Sequence, residues 1–186
     1  MNLKIYHIIL ILLFFIPNAK AGETIFLYKG TFSRSIEIEE LYKFKKTKIA
    51  SKKLKNLLQL TNQKENEFHK ILTYEIDIPL KTSSKLMNSK IGEVFLKRLS
   101  KIIHPNKINN KKISTKAIRS ALLLSSYNNN QKTNLIKFFK AYPNKNIAIN
   151  INALNNALKK AESLKELIEF YADSPLKKLK DGRSST

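Results

Sequence analysis

The hydrophobic positions of this chain change their spacing twice. Ile5–Ile16 (IYHIILILLFFI) is an almost unbroken apolar run behind the short positive stretch Met1–Lys4. From Gly22 the pattern has period two. Glu23–Lys29 (ETIFLYK) predicts a strand, Lys29-Gly30-Thr31 a turn, and Phe32, Ile36 and Ile38 a second strand, together a hairpin. Helical spacing then takes over. Leu41 and Phe44 mark one short helix. Leu54, Leu57 and Leu58 mark a second, capped by Ser51, and Phe68, Ile71 and Leu72 a third, with Asn62 and Glu65 at capping-box spacing. Ile76, Ile78 and Leu80 alternate with polar or proline positions and predict an extended connector, and a short helix covers about Thr82–Met87.

Ser89 is placed to cap a longer helix whose apolar face is Ile91, Val94, Phe95, Leu99, Ile102 and Ile103. It is stopped by His104-Pro105, because proline disfavours helix at the residue before it. A polar loop covers Asn106–Lys112. Ser114 opens a helix with Ile118, Ala121 and Leu122 inward, the Tyr127–Lys132 loop follows, and a helix around Leu135, Phe138 and Phe139 ends before Pro143. Ile147, Ile149 and Ile151 alternate as a third strand or extended segment. The last helix starts near Asn152 with Leu154, Ala157, Leu158, Ala161, Leu164, Ile168 and Tyr171 on one stripe. The expected fold is mainly α: a compact bundle of about six to seven short helices with a small antiparallel hairpin or sheet near the N-terminus. Residues 22–172 form its single domain, and 173–186 a basic flexible tail.

The N-terminal run sets the expected compartment. A positive start, an apolar segment shorter than the ~20 residues of a bilayer span, and Ala19-Lys20-Ala21 make residues 1–21 a secretory signal peptide cleaved between Ala21 and Gly22. The competing reading is an uncleaved N-terminal anchor. Export places the protein in the periplasm or the thylakoid lumen.

Composition narrows the chemistry. With no Cys, the 186-residue chain has no disulfide-linked partner, thiolate nucleophile or Cys-ligated metal. Its four glycines, Gly22, Gly30, Gly92 and Gly182, are too scattered for a phosphate-cradling loop or a nucleophile elbow. The net charge of +21 comes from 31 Lys and only 4 Arg, and Lys, Asn and Ile abound together as AT-rich coding would give. Few Arg, export and no aromatic RNA-binding motif argue against a specific nucleic-acid partner. Tyr127, Phe138, Phe139 and Tyr142 near basic residues are read as core or loop packing.

One charge feature outlasts the coding bias. Val94–Ala161 contains no Asp or Glu, while twelve Lys and two Arg give +14. Lys97, Arg98, Lys101, Lys107, Lys111, Lys112 and Lys116 gather around one helix–loop–helix junction. They are the expected contact to an anionic membrane or envelope surface, screened by salt. The other polar clusters have ordinary explanations. His69 reads as a surface residue, His104 as a helix C-terminal residue, and Glu37, Glu39 and Glu40 as acids in the first turn of a helix rather than a cation site. No catalytic, metal or cofactor residue is assigned.

Met87-Asn88-Ser89-Lys90-Ile91-Gly92-Glu93-Val94-Phe95-Leu96-Lys97-Arg98-Leu99 resembles the asparagine–serine, glycine–glutamate, leucine and arginine–leucine pattern of a domain found in cyanobacteria. That domain precedes the catalytic part of predicted alpha/beta hydrolases and has no assigned function. Thr24–Phe44, Ile76-Asp77-Ile78, Ala117–Leu122, Phe138–Pro143 and the Ile-Asn-Ile start of the last helix are similar too, in the same order, over roughly Gly22–Leu164. In those proteins a Ser-acid-His hydrolase domain follows, whereas this sequence stops where it would begin, so none of its catalytic positions is carried over. The resemblance implies a non-catalytic exported accessory or binding domain, its partner a protein or an anionic surface. The alternative is an alpha/beta-hydrolase remnant, or a subunit performing ester hydrolysis with a separate catalytic chain.

Overall fold

The computed structural model describes residues 21–160 apart from positions 78 and 128–130. The signal peptide read over residues 1–21 lies, except for Ala21, outside the described residues, as do the end of the last helix (Ala161, Leu164, Ile168, Tyr171) and the tail.

A hairpin opens the domain: β1 (Thr24–Lys29) pairs antiparallel with β2 (Phe32–Glu37) across a two-residue loop. Gly30 takes φ +61° there, a left-handed backbone that a loop this short demands. The helices α1 (Ile38–Thr47), α2 (Lys52–Leu60), α3 (Glu65–Thr73), α4 (Leu80–Met87) and α5 (Lys90–Leu99) follow, with the two-residue β3 (Ile76–Asp77) before α4. Then come β4 (Ile103–Pro105), α6 (Lys111–Tyr127), β5 (Lys132–Thr133), α7 (Leu135–Lys140), β6 (Asn146–Asn150) and α8 (Ile151–Lys160).

The expected mainly α bundle is overturned. Four strands form a mixed sheet in the order β2-β1-β6-β4, and β3 and β5 pair separately. About 57% of the described residues are helical and 18% in strands, so the fold is alpha/beta. The difference is one of range. β6 lies parallel to β1, Ile25 opposite Ile147 and Leu27 opposite Ile149, although more than a hundred residues separate them in sequence. β4, read as the tail of a helix, instead pairs antiparallel with β6, Ile103 opposite Ile149 and Pro105 opposite Ile147. Helix α5 already ends at Leu99, where Ser100 closes it by donating its N–H to Leu96 O. Proline is tolerated in β4 because the strand is at the sheet edge, where a missing donor breaks no ladder.

The helical periodicities hold where a buried stripe enforces them. Leu41 and Phe44, then Leu54, Leu57 and Leu58, join Ile25, Ile36, Ile147 and Ile149 in one core with Leu72, Leu96, Ile118 and Ala121. Ser51 and Ser89 cap their helices, accepting from Leu54 N–H and Gly92 N–H. The Asn62–Glu65 capping box does not form. Asn62 is left-handed (φ 54°), and Lys64 occupies the N-cap without a side-chain bond. Helix α6 starts before Ser114, because Asn110 Oδ1 already accepts from Ile113 N–H. Ser114 is a buried interior residue that donates to Asn110 O.

Phe138, Phe139 and Tyr142 pack together in the core, whereas Tyr127 is exposed. Tyr142 is fully buried, and its hydroxyl finds no hydrogen-bond partner among the described residues. Burial pushes its phenol above the usual tyrosine range. Such a group favours the folded state below its unfolded value of about 10, and that contribution is lost as pH rises towards the higher folded value. Tyr142→Phe is therefore expected to leave neutral-pH stability unchanged or raise it by up to ~1 kcal/mol, since an unsatisfied donor is removed. It should also shift alkaline unfolding to higher pH, measurable by thermal melts between about pH 8 and 11.

Candidate functional site

Ion pairing divides the acid-free block into two populations. Lys137 pairs with Glu75 (3.1 Å), Lys140 with Glu39 (3.8 Å) and Lys145 with Glu23 (2.9 Å), each partner coming from the first half of the chain. The Lys137 hydrogen bond and charge hold the Glu75 carboxyl below its ordinary range. Of the seven cations expected to form the contact surface, Lys97 is likewise engaged, at 2.9 Å from Glu93 one helical turn earlier. Arg98, Lys101, Lys107, Lys111, Lys112 and Lys116 make no ion pair among the described residues, and all six are exposed.

These six flank β4. Arg98 and Lys101 precede it, and Lys107, Lys111, Lys112 and Lys116 follow in the turn and the first helical turns of α6, separated from the first pair by about 10 Å of strand. The turn is tied down at both ends. Asn106 N–H donates to Asn146 O (2.9 Å), and Ile108 N–H to Pro105 O (3.1 Å). Lys107 between them takes φ 64°, which costs a non-glycine residue about 1 kcal/mol.

Apolar side chains stand among these lysines. Pro105 and Ile108 of the turn, Ile113, Lys116, Ala117 and Ser120 of α6, and Pro143 and Asn144 line one open groove of ≈ 250 Å³. At helical spacing its α6 wall continues through Leu124 to Tyr127. Ile113 and Leu124 are each 45% exposed and Tyr127 67%, while the opposite side of α6 buries Ser114, Ile118, Ala121 and Ser125. Sequence reasoning identified the inward stripe and overlooked this outward one, although Ile113, Ser120, Leu124 and Tyr127 share a spacing of their own. The apolar face expected on α5 is also corrected: Ile91 and Val94 point to solvent, and Leu96, absent from that stripe, is fully buried.

The remaining candidates resolve into structural roles. His69 donates its Nε2–H to Lys45 O (2.9 Å) and meets Phe44 edge-on. His104 does not end a helix. It is buried in β4, where Nδ1–H donates to Pro105 O (3.0 Å) and Nε2 accepts the Tyr28 hydroxyl (2.8 Å), linking β4 to β1. Glu40 accepts from Ser51 Oγ (2.7 Å) and pairs with Lys53, while Glu39 faces Lys140. Glu39 and Glu40 are thus ordinary first-turn acids of α1, and Glu37, the last residue of β2, is its N-cap without a side-chain capping bond. Among the described residues, no group of three His, Cys, Asp or Glu is placed to hold a metal.

The Met87–Leu99 motif is the α4–α5 joint. Asn88 Nδ2 donates to Ser84 O (2.8 Å). The Ser89 hydroxyl donates to Leu86 O (2.7 Å) while accepting Gly92 N–H (3.1 Å). A Cβ on Gly92 would overlap the Leu86 carbonyl oxygen, so this crossing requires glycine. Arg119 Nε reaches across from α6 to Met87 O (3.1 Å).

A family model described as "Alpha/beta hydrolase of unknown function (DUF1400)" matches residues 21–150, from the approach to β1 through the end of β6. Comparison with curated proteins and with solved structures gives no match.

Proposed function

The chain belongs to the family described as alpha/beta hydrolase of unknown function, and from that premise we propose that it is an exported, non-catalytic binding module that attaches to an anionic surface through the β4–α6 corner. The observation that carries the reading is the sorting of charge. Carboxylates from the first half of the chain neutralise Lys137, Lys140 and Lys145, whereas Arg98, Lys101, Lys107, Lys111, Lys112 and Lys116 are left exposed and unpaired among the described residues. Six solvated cations flanking β4, with no acid in residues 94–161, form a field that a negatively charged surface complements. Attachment of this kind is peripheral, acts over roughly a Debye length, about 10 Å at 0.1 M salt, and weakens as salt is added.

The second reading, an enzyme acting on esters with a separate catalytic chain, draws on the word hydrolase in the family description. Both histidines among the described residues bond within the fold, His69 to Lys45 O and His104 to Tyr28 and Pro105 O, and neither hydrogen-bonds a serine hydroxyl there. Two assays on the full chain separate the readings. Cosedimentation with anionic but not neutral vesicles, without turnover of activated esters, is expected. Ester hydrolysis abolished by one serine or histidine substitution would establish the enzyme instead. Retention of an exported hydrolase with no preference for anionic vesicles would replace the surface by a protein partner.

A further inference from the structure

The proposed attachment leaves one structural feature unused: the outward stripe of α6. Ile113, Lys116, Ser120, Leu124 and Tyr127 fall on one side of the helix at i, i+3, i+7, i+11 and i+14, and all five are exposed. Three are large and apolar, on a helix whose other side is packed in the core. Beside the stripe's first turn, Ile108 is 39% exposed in the same groove as Ile113 and Lys116.

An acidic polymer in solution would be satisfied by the lysines and would gain little from covering isoleucine and leucine. A bilayer satisfies both. Lysines at headgroup level draw the domain to anionic lipid, apolar side chains a few ångströms deeper leave water, and a tyrosine suits the boundary between them. Lys107, Lys111, Lys112 and Lys116 lie at the N-terminal end of the stripe, beside Ile108 and Ile113 in sequence and without a carboxylate among them, so the charge sign there matches the anionic leaflet. Among the described residues no helix is long and apolar enough to cross a membrane, and α6 is anchored on one side, which leaves it a position along the surface.

We propose that α6 lies flat on an anionic lipid bilayer, with Ile108, Ile113, Leu124 and Tyr127 seated in the interface and Lys107, Lys111, Lys112 and Lys116 on the headgroups. This deepens the anionic-surface reading, on which it rests, by naming the surface as lipid. Ile113 and Leu124 stand eleven residues, about 16 Å, apart along the axis, so a flat helix seats both while an end-on contact seats one.

The chain contains no tryptophan, so a single introduced one reports its own depth. Full-length Ile113→Trp and Leu124→Trp variants are titrated with phosphatidylglycerol–phosphatidylcholine vesicles carrying bromine on the acyl chains. Blue-shifted emission and quenching at both positions are expected. Ile113→Ser combined with Leu124→Ser is expected to weaken vesicle affinity about tenfold, with its dependence on salt retained. Quenching at only one position or at neither, with an unchanged affinity of the double serine variant, overturns the flat seating. If the lysines still govern vesicle binding in that case, the anionic-surface reading survives without insertion. If neither vesicles nor heparin bind, that reading fails as well. Equal dependence of heparin and vesicle binding on the lysines, with no role for the apolar stripe, assigns the corner to a soluble acidic polymer and also overturns the proposal.

Discussion

Replacing Lys107, Lys111, Lys112 and Lys116 together by Gln is expected to lower the affinity of the full chain for anionic vesicles by roughly a thousandfold. A lysine near such a membrane contributes about 1 kcal/mol, and four of them about 4 kcal/mol, or close to three decades in the dissociation constant. The expectation is large because none of the four has an ion-pair partner among the described residues, so each charge is free to act outward and none is needed for folding. The thermal midpoint should therefore stay within about 2 °C of the parent, as for surface substitutions generally. A matched control comes from the same acid-free block. Gln at Lys137, Lys140 and Lys145, whose charges face Glu75, Glu39 and Glu23, removes three cations yet should change vesicle affinity much less. Equal losses in the two variants would mean that net charge, rather than the β4–α6 corner, drives attachment.

The largest stability effect is expected at Gly92. Its Cα packs against the end of α4 so closely that an added Cβ would overlap Leu86 O and lie 2.8 Å from the Leu86 carbonyl carbon and 2.9 Å from Met87 Cα. The atoms in the way are backbone, held by the Ser89 hydroxyl and N–H on Leu86 O and by Arg119 on Met87 O, and cannot swing aside like a side chain. Alanine is the better helix former by about 1 kcal/mol, but overpacking against fixed backbone costs up to about 3 kcal/mol and more where the atoms cannot relax. Gly92→Ala should lower the thermal midpoint by roughly 5–10 °C, while Lys90→Ala, exposed in the same helix, leaves it unchanged. A Gly92→Ala melt coincident with the parent would refute the close crossing.

The residues that were legible in the sequence were those whose partners are local. Ser51 and Ser89 cap helices because the donors they satisfy lie three residues on, and Leu54, Leu57 and Leu58 face inward because helical spacing puts them on one side. The sheet was not legible, since β6 pairs with β1 across most of the chain and β4 carries only three residues, one of them proline. His104 illustrates the cost. Placed in sequence at a helix end, it belongs to a buried edge strand held by Tyr28, 76 residues away. The family resemblance was readable in Asn88, Ser89, Gly92 and Glu93, and the structure gives the reason for the first three: a hydrogen-bonded joint between α4 and α5 that includes a close backbone approach.

For the candidate site, the excess of lysine was visible and its partition was not. Lys97 and Lys101 look equivalent in sequence, but Lys97 is engaged by Glu93, and the acids that remove Lys137, Lys140 and Lys145 come from the stretch before β3, from α1 and from the residue before β1. The outward stripe of α6 was hidden for a simpler reason. Both sides of the helix carry apolar residues, and only packing decides which side, here Ile118 and Ala121, faces the core.

Charge-directed attachment is tested by the affinity of the full chain for vesicles with and without anionic lipid at low and high salt. Binding to anionic vesicles is expected to be at least about tenfold tighter at about 0.05 M salt, a preference that collapses by about 0.5 M as the Debye length shortens. Equal affinities for neutral and anionic vesicles at low salt would contradict it.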